Sequence, residues 1–292
     1  MRDGTGWRRA LLTLVRAKWP ILAIVILLMV SAAAALAPEL APRDPNRQSI
    51  IARLQPPMTA NRQGRIDFPL GSDALGRDVL SRLLYGARVS VVVGLAAVLI
   101  GGVLGTALGV VAGYAGGAAD VVIMRIGDIQ LAFPFILLAI MFLVVLGPGL
   151  VNLIVVLGIG QWVTYARIAR GQTLAVRQLD YVEAARAMGA GTVAVMRRTI
   201  LPNITAPLIV VASFNLAGVI LSEAALSFLG LGVPPTMPTW GGMLAESRDQ
   251  LLAGHWWLSV LPGAAIMLTV LSCNLLGDWL RDVLDPRLQV AG

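Results

Sequence analysis

The chain has 292 residues, 57% of them apolar and only 13% charged, which describes a polytopic membrane protein and excludes a soluble enzyme domain. The net charge of +7 would suggest nucleic-acid binding in a soluble domain. Here the arginines flank apolar runs, where they set orientation or meet anionic headgroups.

Several chemistries fall with the composition. The only lysine, Lys18, follows no glycine pattern, so no phosphate-cradling P-loop exists. With one histidine (His255) and one cysteine (Cys273), no His/Cys metal cluster can form and no internal disulfide is available. His255, beside Trp256 and Trp257, reads as an interfacial side chain, and Cys273 as a packing residue inside an apolar run. Neither a catalytic constellation nor a cofactor is expected.

Trp7 to Trp19 is amphipathic and basic, with Arg8, Arg9, Arg16 and Lys18 among leucines, and reads as an interfacial helix. Ile21 to Ala37 is a nearly unbroken apolar run of 17 residues, the expected first span. A cleaved signal peptide is the alternative; the long basic region before the run favours a retained span. Residues 1–38 thus form one unit.

Residues 39–88 turn polar and proline-rich and read as an extended external segment. From Pro38 to Arg88 the chain carries eight arginines against five acids, which a long translocated loop tolerates. Its end reads Leu70-Gly71-Ser72-Asp73-Ala74-Leu75-Gly76-Arg77-Asp78-Val79-Leu80-Ser81-Arg82, an amphipathic helix leading into the next span, in which Asp78 and Arg82 are one turn apart and can pair.

A five-helix core is expected over 89–292. Val89 to Ala112 is the second span, with Gly101, Gly105, Gly109 and Gly113 repeating every four residues as a helix-packing face. Tyr114 to Asp128 reads as a short loop and Ile129 to Leu146 as a third span with Pro134 near its start. Gly147-Pro148-Gly149 makes a tight turn, and Leu150 to Ala166 is the fourth span.

Residues 171–203 form a polar, arginine-bearing loop. Asp180 can cap a short helix with Glu183 completing a capping box, and Val182, Ala185 and Met188 then share a small apolar face. Gly189 and Gly191 can end that helix in a left-handed residue, Thr192 can start a second helix, and Pro202 marks its limit. Thr205 can cap the fifth span, Ala206 to Leu221, in which Asn215 is the central polar residue: a helix bridge or a pore-facing group. An external loop follows over 222–257, where Glu223 is either a vestibule-lining carboxylate or a helix cap near the surface. Leu258 to Leu276 is the sixth span, with Asp278, Arg281, Asp282, Asp285 and Arg287 in the tail.

Counted over short segments, fourteen basic residues fall on the side of the 171–203 loop and only Arg248 opposite it, apart from the long external segment. Six spans with both termini cytoplasmic follow.

Two stretches carry a resemblance. Glu183-Ala184-Ala185, with Arg186 next, Gly189 four residues after Ala185, and Leu201-Pro202 at the close resemble the EAA loop of binding-protein-dependent ABC importer permeases. Thr199 stands where that pattern usually has isoleucine. Leu70 to Arg88 resembles a signature of the dipeptide, oligopeptide and nickel permeases, with Ser72 where threonine is common.

The resemblance implies an all-α type I ABC importer permease fold. It implies a second related permease subunit, two ATP-binding subunits that hydrolyse ATP, and an extracytoplasmic substrate-binding protein, in a bacterial inner membrane. It makes Glu183 to Gly189 a coupling helix on the ATPase. A stand-alone secondary transporter or channel is the other class. It would need conspicuous ionisable groups within the spans, whose interiors hold chiefly Asn152, Gln161, Asn215 and Asn274.

Overall fold

A computed structural model describes residues 18–284 except residue 62, and among these the regular elements are helical. The expected interfacial helix before Lys18, and Asp285 and Arg287 of the tail, lie outside the described residues. Among the described residues five helices are long and apolar enough to cross a membrane, and a bent pair supplies a sixth crossing if counted as one span.

The first span is α1 (Lys18–Ala35), followed by the short α2 (Ala37–Leu40). The second is longer than the apolar run: α3 covers Val79–Ala115, so the lead-in helix and the span are one continuous rod of 37 residues. Asp78 starts it. Its carboxylate accepts from the Ser81 amide at 2.8 Å and the Ser81 hydroxyl at 2.6 Å. Asp78 therefore caps α3 and does not pair with Arg82 as its spacing suggested. Arg82 turns to Asp73 and Glu246 instead.

The third crossing also differs from expectation. Residues read as a loop are helical in α4 (Gly117–Leu131), and α5 (Phe135–Leu146) leaves it at 87°. The cause is Pro134, which lacks an amide hydrogen and disfavours helical backbone at Phe133. Gln130 fixes the corner, donating to the Gly160 carbonyl at 2.9 Å and accepting from the Trp162 indole at 2.8 Å. The tight turn at Gly147 (φ 83°) leads into α6 (Leu150–Val176).

α3 and α6 form the central packing of the bundle. Each glycine of the four-residue repeat lies against a backbone carbonyl of α6: Gly101 on Gly158, Gly105 on Trp162, Gly109 on Ala166 and Gly113 on Arg170. A β-carbon at Gly101 would sit 2.7 Å from the Gly158 oxygen, and one at Gly113 2.8 Å from that of Arg170. Residue numbers rise together along both helices, so α3 and α6 are parallel. The chain must then recross between residues 116 and 149, which makes α4 and α5 the return leg.

After α6 come α7 (Asp180–Ala187), a single turn α8 (Thr192–Ala194), a π-helical segment Val195–Ile200 and α9 (Leu201–Phe228). These last three run on as one helical span of 37 residues from Thr192. Pro202 does not stop this helix. It occupies the first turn of α9, and the preceding turn widens so that the Leu201 amide reaches back to the Met196 carbonyl, five residues away. Thr205 is likewise internal, its hydroxyl donating to the Pro202 carbonyl at 2.8 Å rather than capping a span.

Beyond α9, α10 (Trp240–Glu246) and α11 (Arg248–Leu252) precede the last span, α12 (Trp257–Leu284). One apolar cluster joins Ala34 of α1, Val79 of α3, Ala224 of α9, Trp240 of α10 and Trp257 of α12. A second, at the opposite end of α3, joins Val110, Val176, Val182, Val195, Ile200 and Ile204. Lys18 and Leu284, at the far ends of α1 and α12 from the first cluster, therefore point toward the α7 side.

Candidate functional site

Two groups of polar residues sit at opposite ends of the bundle, one around α7 and one where residues 70–82 meet α10.

The α7 group is built from chain reversals. α6 ends at Val176, and Leu179 is extended (φ −82°, ψ 142°) before α7 begins. Asp180 is the first helical residue, and no side chain caps this helix, so the expected capping box is absent. Asp180 and Glu183 still lie in the first turn, where the helix dipole favours negative charge. At the other end, the Ala190 amide donates to the Ala185 carbonyl at 3.1 Å and the Gly189 amide to the Arg186 carbonyl at 2.9 Å. With Gly189 at φ 84°, this is a Schellman closure, in which the left-handed position falls on the residue without a β-carbon. Gly191, in contrast, is extended (φ −67°, ψ 157°) and leads into α8.

α7 sends one fully buried side chain into the bundle, Val182, which packs in the cluster with Val176, Val195 and Ile200. Glu183, Ala184, Arg186 and Gly189 are exposed and Ala185 half-buried. Met188, expected on the apolar face, is 82% exposed, because the helix has already ended at Ala187. Leu201 and Pro202 lie across the bend, Leu201 half-buried against the same cluster and Pro202 exposed. The loop residues singled out by pattern thus form one surface patch on a single apolar peg.

Three arginines tie this end together. Arg170 binds Asp120 of α4 through two nitrogens, at 2.5 and 2.6 Å, and Arg167 binds Asp128 at 2.7 Å. Arg177 donates to the Gly113 and Tyr114 carbonyls at 2.9 and 3.3 Å, the last turn of α3, where a cation complements the helix dipole.

At the other end, residues 71–78 fold into a tight loop closed by an isolated bridge between Ser72 and Asp78. Gly76 (φ 72°) lies against the Ser49 backbone, leaving no room for a side chain. Asp73 is the hub. It accepts from the Leu75 and Arg77 amides, both at 2.9 Å, from Arg77 Nε at 2.6 Å and from Arg82 Nη1 at 2.9 Å. Both guanidinium groups also reach Glu246 of α10, Arg77 at 2.6 Å and Arg82 at 3.0 Å. Two cations and two carboxylates balance, and the arginine side chains are almost wholly buried. The cluster borders a cavity of about 320 Å³ with Pro235, Met243 and Leu258 among its walls. Sequence reasoning found Asp73, Arg77 and Arg82 as part of a signature but missed Glu246, which has no local pattern to mark it.

Glu223 is not a vestibule residue in this fold. It is fully buried between α3 and α9, accepting from Ser90 at 3.1 Å and Ser227 at 2.7 Å, so its carboxylate joins two spans and faces no open space. Nor is it a cap, since α9 continues through it to Phe228. Asn215 is half-buried in α9.

The sequence matches known proteins along its length. The profile described as "Binding-protein-dependent transport system inner membrane component" covers residues 105–290, and "N-terminal TM domain of oligopeptide transport permease C" covers residues 5–57. The di/tripeptide transport system permease protein DppC of Pseudomonas aeruginosa is 45% identical over 268 residues, covering 92% of this chain and 88% of the relative. The glutathione transport system permease protein GsiD of Pectobacterium atrosepticum is 48% identical, covering 75% of this chain and 73% of its own. The probable D,D-dipeptide transport system permease protein DdpC of Escherichia coli is 41% identical, covering 91% of this chain and 85% of its own. Among solved structures, a chain of the MetNI methionine ABC transporter in an inward-facing conformation aligns with a TM-score of 0.55 at 21% identity, over 69% of this chain and 96% of that one. That likeness concerns the fold.

Proposed function

The chain belongs to the family of binding-protein-dependent transport system inner membrane components, and on that premise we propose that it forms half of a pore importing peptides or a related small solute. It is a multi-pass permease subunit of an ABC importer in a bacterial inner membrane, and it works within a multi-subunit system. In the proposed assembly it pairs with a second, related permease, two ATP-binding subunits and an extracytoplasmic binding protein. ATP is hydrolysed in the partners. The α7 side faces the cytoplasm, with both termini, and the Asp73–Glu246 cluster faces the binding protein.

The observation that carries the coupling role is α7 itself: a short, sharply terminated helix whose Glu183, Ala184 and Gly189 are exposed, held to the bundle by the buried Val182. An element so placed can dock into a partner's cleft and transmit its movement to the spans on either side. Closure of the ATPases on ATP would push α7 and open the pore toward the loaded binding protein. Peptide cargo is supported by the relatives, whose names refer to di/tripeptides, D,D-dipeptides and glutathione.

The test is reconstitution. Co-purification of an ATPase and a related permease with this chain, and peptide uptake that needs ATP and the binding protein, is the expected result. Uptake by this chain alone would overturn the proposal in favour of a stand-alone transporter.

A further inference from the structure

Arg186 lies within the coupling patch, yet its guanidinium is turned back onto the protein. It stacks over the Tyr114 ring at 4.8 Å from the centroid. Tyr114 is the penultimate residue of α3, a continuous rod of 37 residues. Its carbonyl and that of Gly113 receive Arg177 from the end of α6, and its ring packs on the apolar cluster that holds Val182. Tyr114 thus touches the end of α6 through its backbone and α7 through its ring.

We propose that Arg186 and Tyr114 form a joint that carries movement of the coupling helix into α3, so that Arg186 acts inside this chain and not on the ATPase. The inference rests on the coupling role proposed above.

The physical reasoning concerns what a displaced α7 can pull on. Besides the chain at its two ends, α7 is attached through Val182 and through the Arg186–Tyr114 stack. The contact at Val182 is apolar and non-directional, and it tolerates sliding. A cation held over a ring face is directional and loses its attraction as the two move apart. The load path continues from Tyr114 along α3, because at each glycine of the ladder α3 lies directly against a backbone carbonyl of α6. A shift at Tyr114 therefore moves α3 and α6 as a pair.

The experiment uses the whole assembly in liposomes with its binding protein and compares Arg186→Gln, Tyr114→Leu, Tyr114→Phe and the Arg186→Gln/Tyr114→Leu double variant. Arg186 is exposed, so Arg186→Gln leaves folding intact. Assembly with the ATPase and KM for ATP should be unchanged in all four. Binding-protein-stimulated hydrolysis should fall by roughly two- to fivefold in Arg186→Gln and in Tyr114→Leu, with the double variant no lower than either. Tyr114→Phe, which keeps the ring, should match wild type. Full stimulation in Tyr114→Leu, multiplying losses in the double variant, or loss of ATPase binding in Arg186→Gln would overturn the joint. A wild-type assembly that shows no stimulation would instead overturn the coupling role, and the joint with it.

Discussion

Arg77 and Glu246 stand 169 residues apart in the chain and 2.6 Å apart in space. The pair closes a cluster with Asp73 and Arg82 that fastens the start of α3 and the segment before it to α10. Its members differ in exposure, and that difference orders the effects of removing them.

Asp73→Ala strips partners from Arg77 and from Arg82, whose side chain is only 3% exposed. Breaking a buried pair costs up to about 3 to 5 kcal/mol, reduced here by what Glu246, still in reach of both arginines, retains. Glu246, with a side chain 38% exposed, is partly solvated and screened, so Glu246→Ala should cost only about 1 kcal/mol. Thermal unfolding of the detergent-solubilised protein should rank the two variants in that order, and an equal loss would contradict the hub role of Asp73.

The glycine ladder makes a second ranking. Gly105→Val would drive a side chain into the Trp162 carbonyl and should cost about 3 kcal/mol, seen as loss of folded protein in the membrane. Gly218, exposed on α9 with no atom within 4 Å of the place a β-carbon would take, is the control. Gly218→Ala should be neutral or stabilising by about 0.5 to 1 kcal/mol.

Gly189 requires a left-handed backbone but has open space around it, so its substitutions test conformation alone. Gly189→Val should permit assembly yet lose binding-protein-stimulated ATP hydrolysis. Gly189→Asn, which tolerates the left-handed region, should keep most of it. Equal stimulation in Val and Asn variants would show that the closure of α7 is immaterial to coupling.

Ser90 donates to one oxygen of Glu223 and Ser227 to the other. Ser90→Ala leaves a buried acceptor without its donor and should cost about 1 to 3 kcal/mol. Glu223→Gln keeps the shape, one acceptor oxygen and a donor that a hydroxyl can receive, and should stay within about 1 kcal/mol of wild type. Unfolding midpoints in detergent check both, and a larger loss for Glu223→Gln would mean that the charge itself matters.

Much of this architecture was legible in advance where the cause was local. The left-handed end of α7 was readable at Gly189 because few other residues adopt φ 84° without strain. The four-residue glycine spacing identified a packing face. Local reasoning failed where a residue had two possible partners. Asp78 could cap α3 or pair with Arg82, and it caps, because Asp73 and Glu246 are positioned to take the arginine. Pro202 could end a helix or sit in its first turn, and the π-helical segment before it decided for the second. Glu223 looked like a surface carboxylate until α3 brought Ser90 against it.

The sequence by itself determined that the chain crosses a membrane repeatedly and where its polar loop lies, because transfer into lipid depends on the length and composition of each apolar run. Only the tertiary structure decided which helix lies against the glycine face, that α3 and α6 run parallel, and that Arg77 and Arg82 meet Glu246. A helix's sequence specifies which face it presents, but the partner for that face depends on the path of the whole chain.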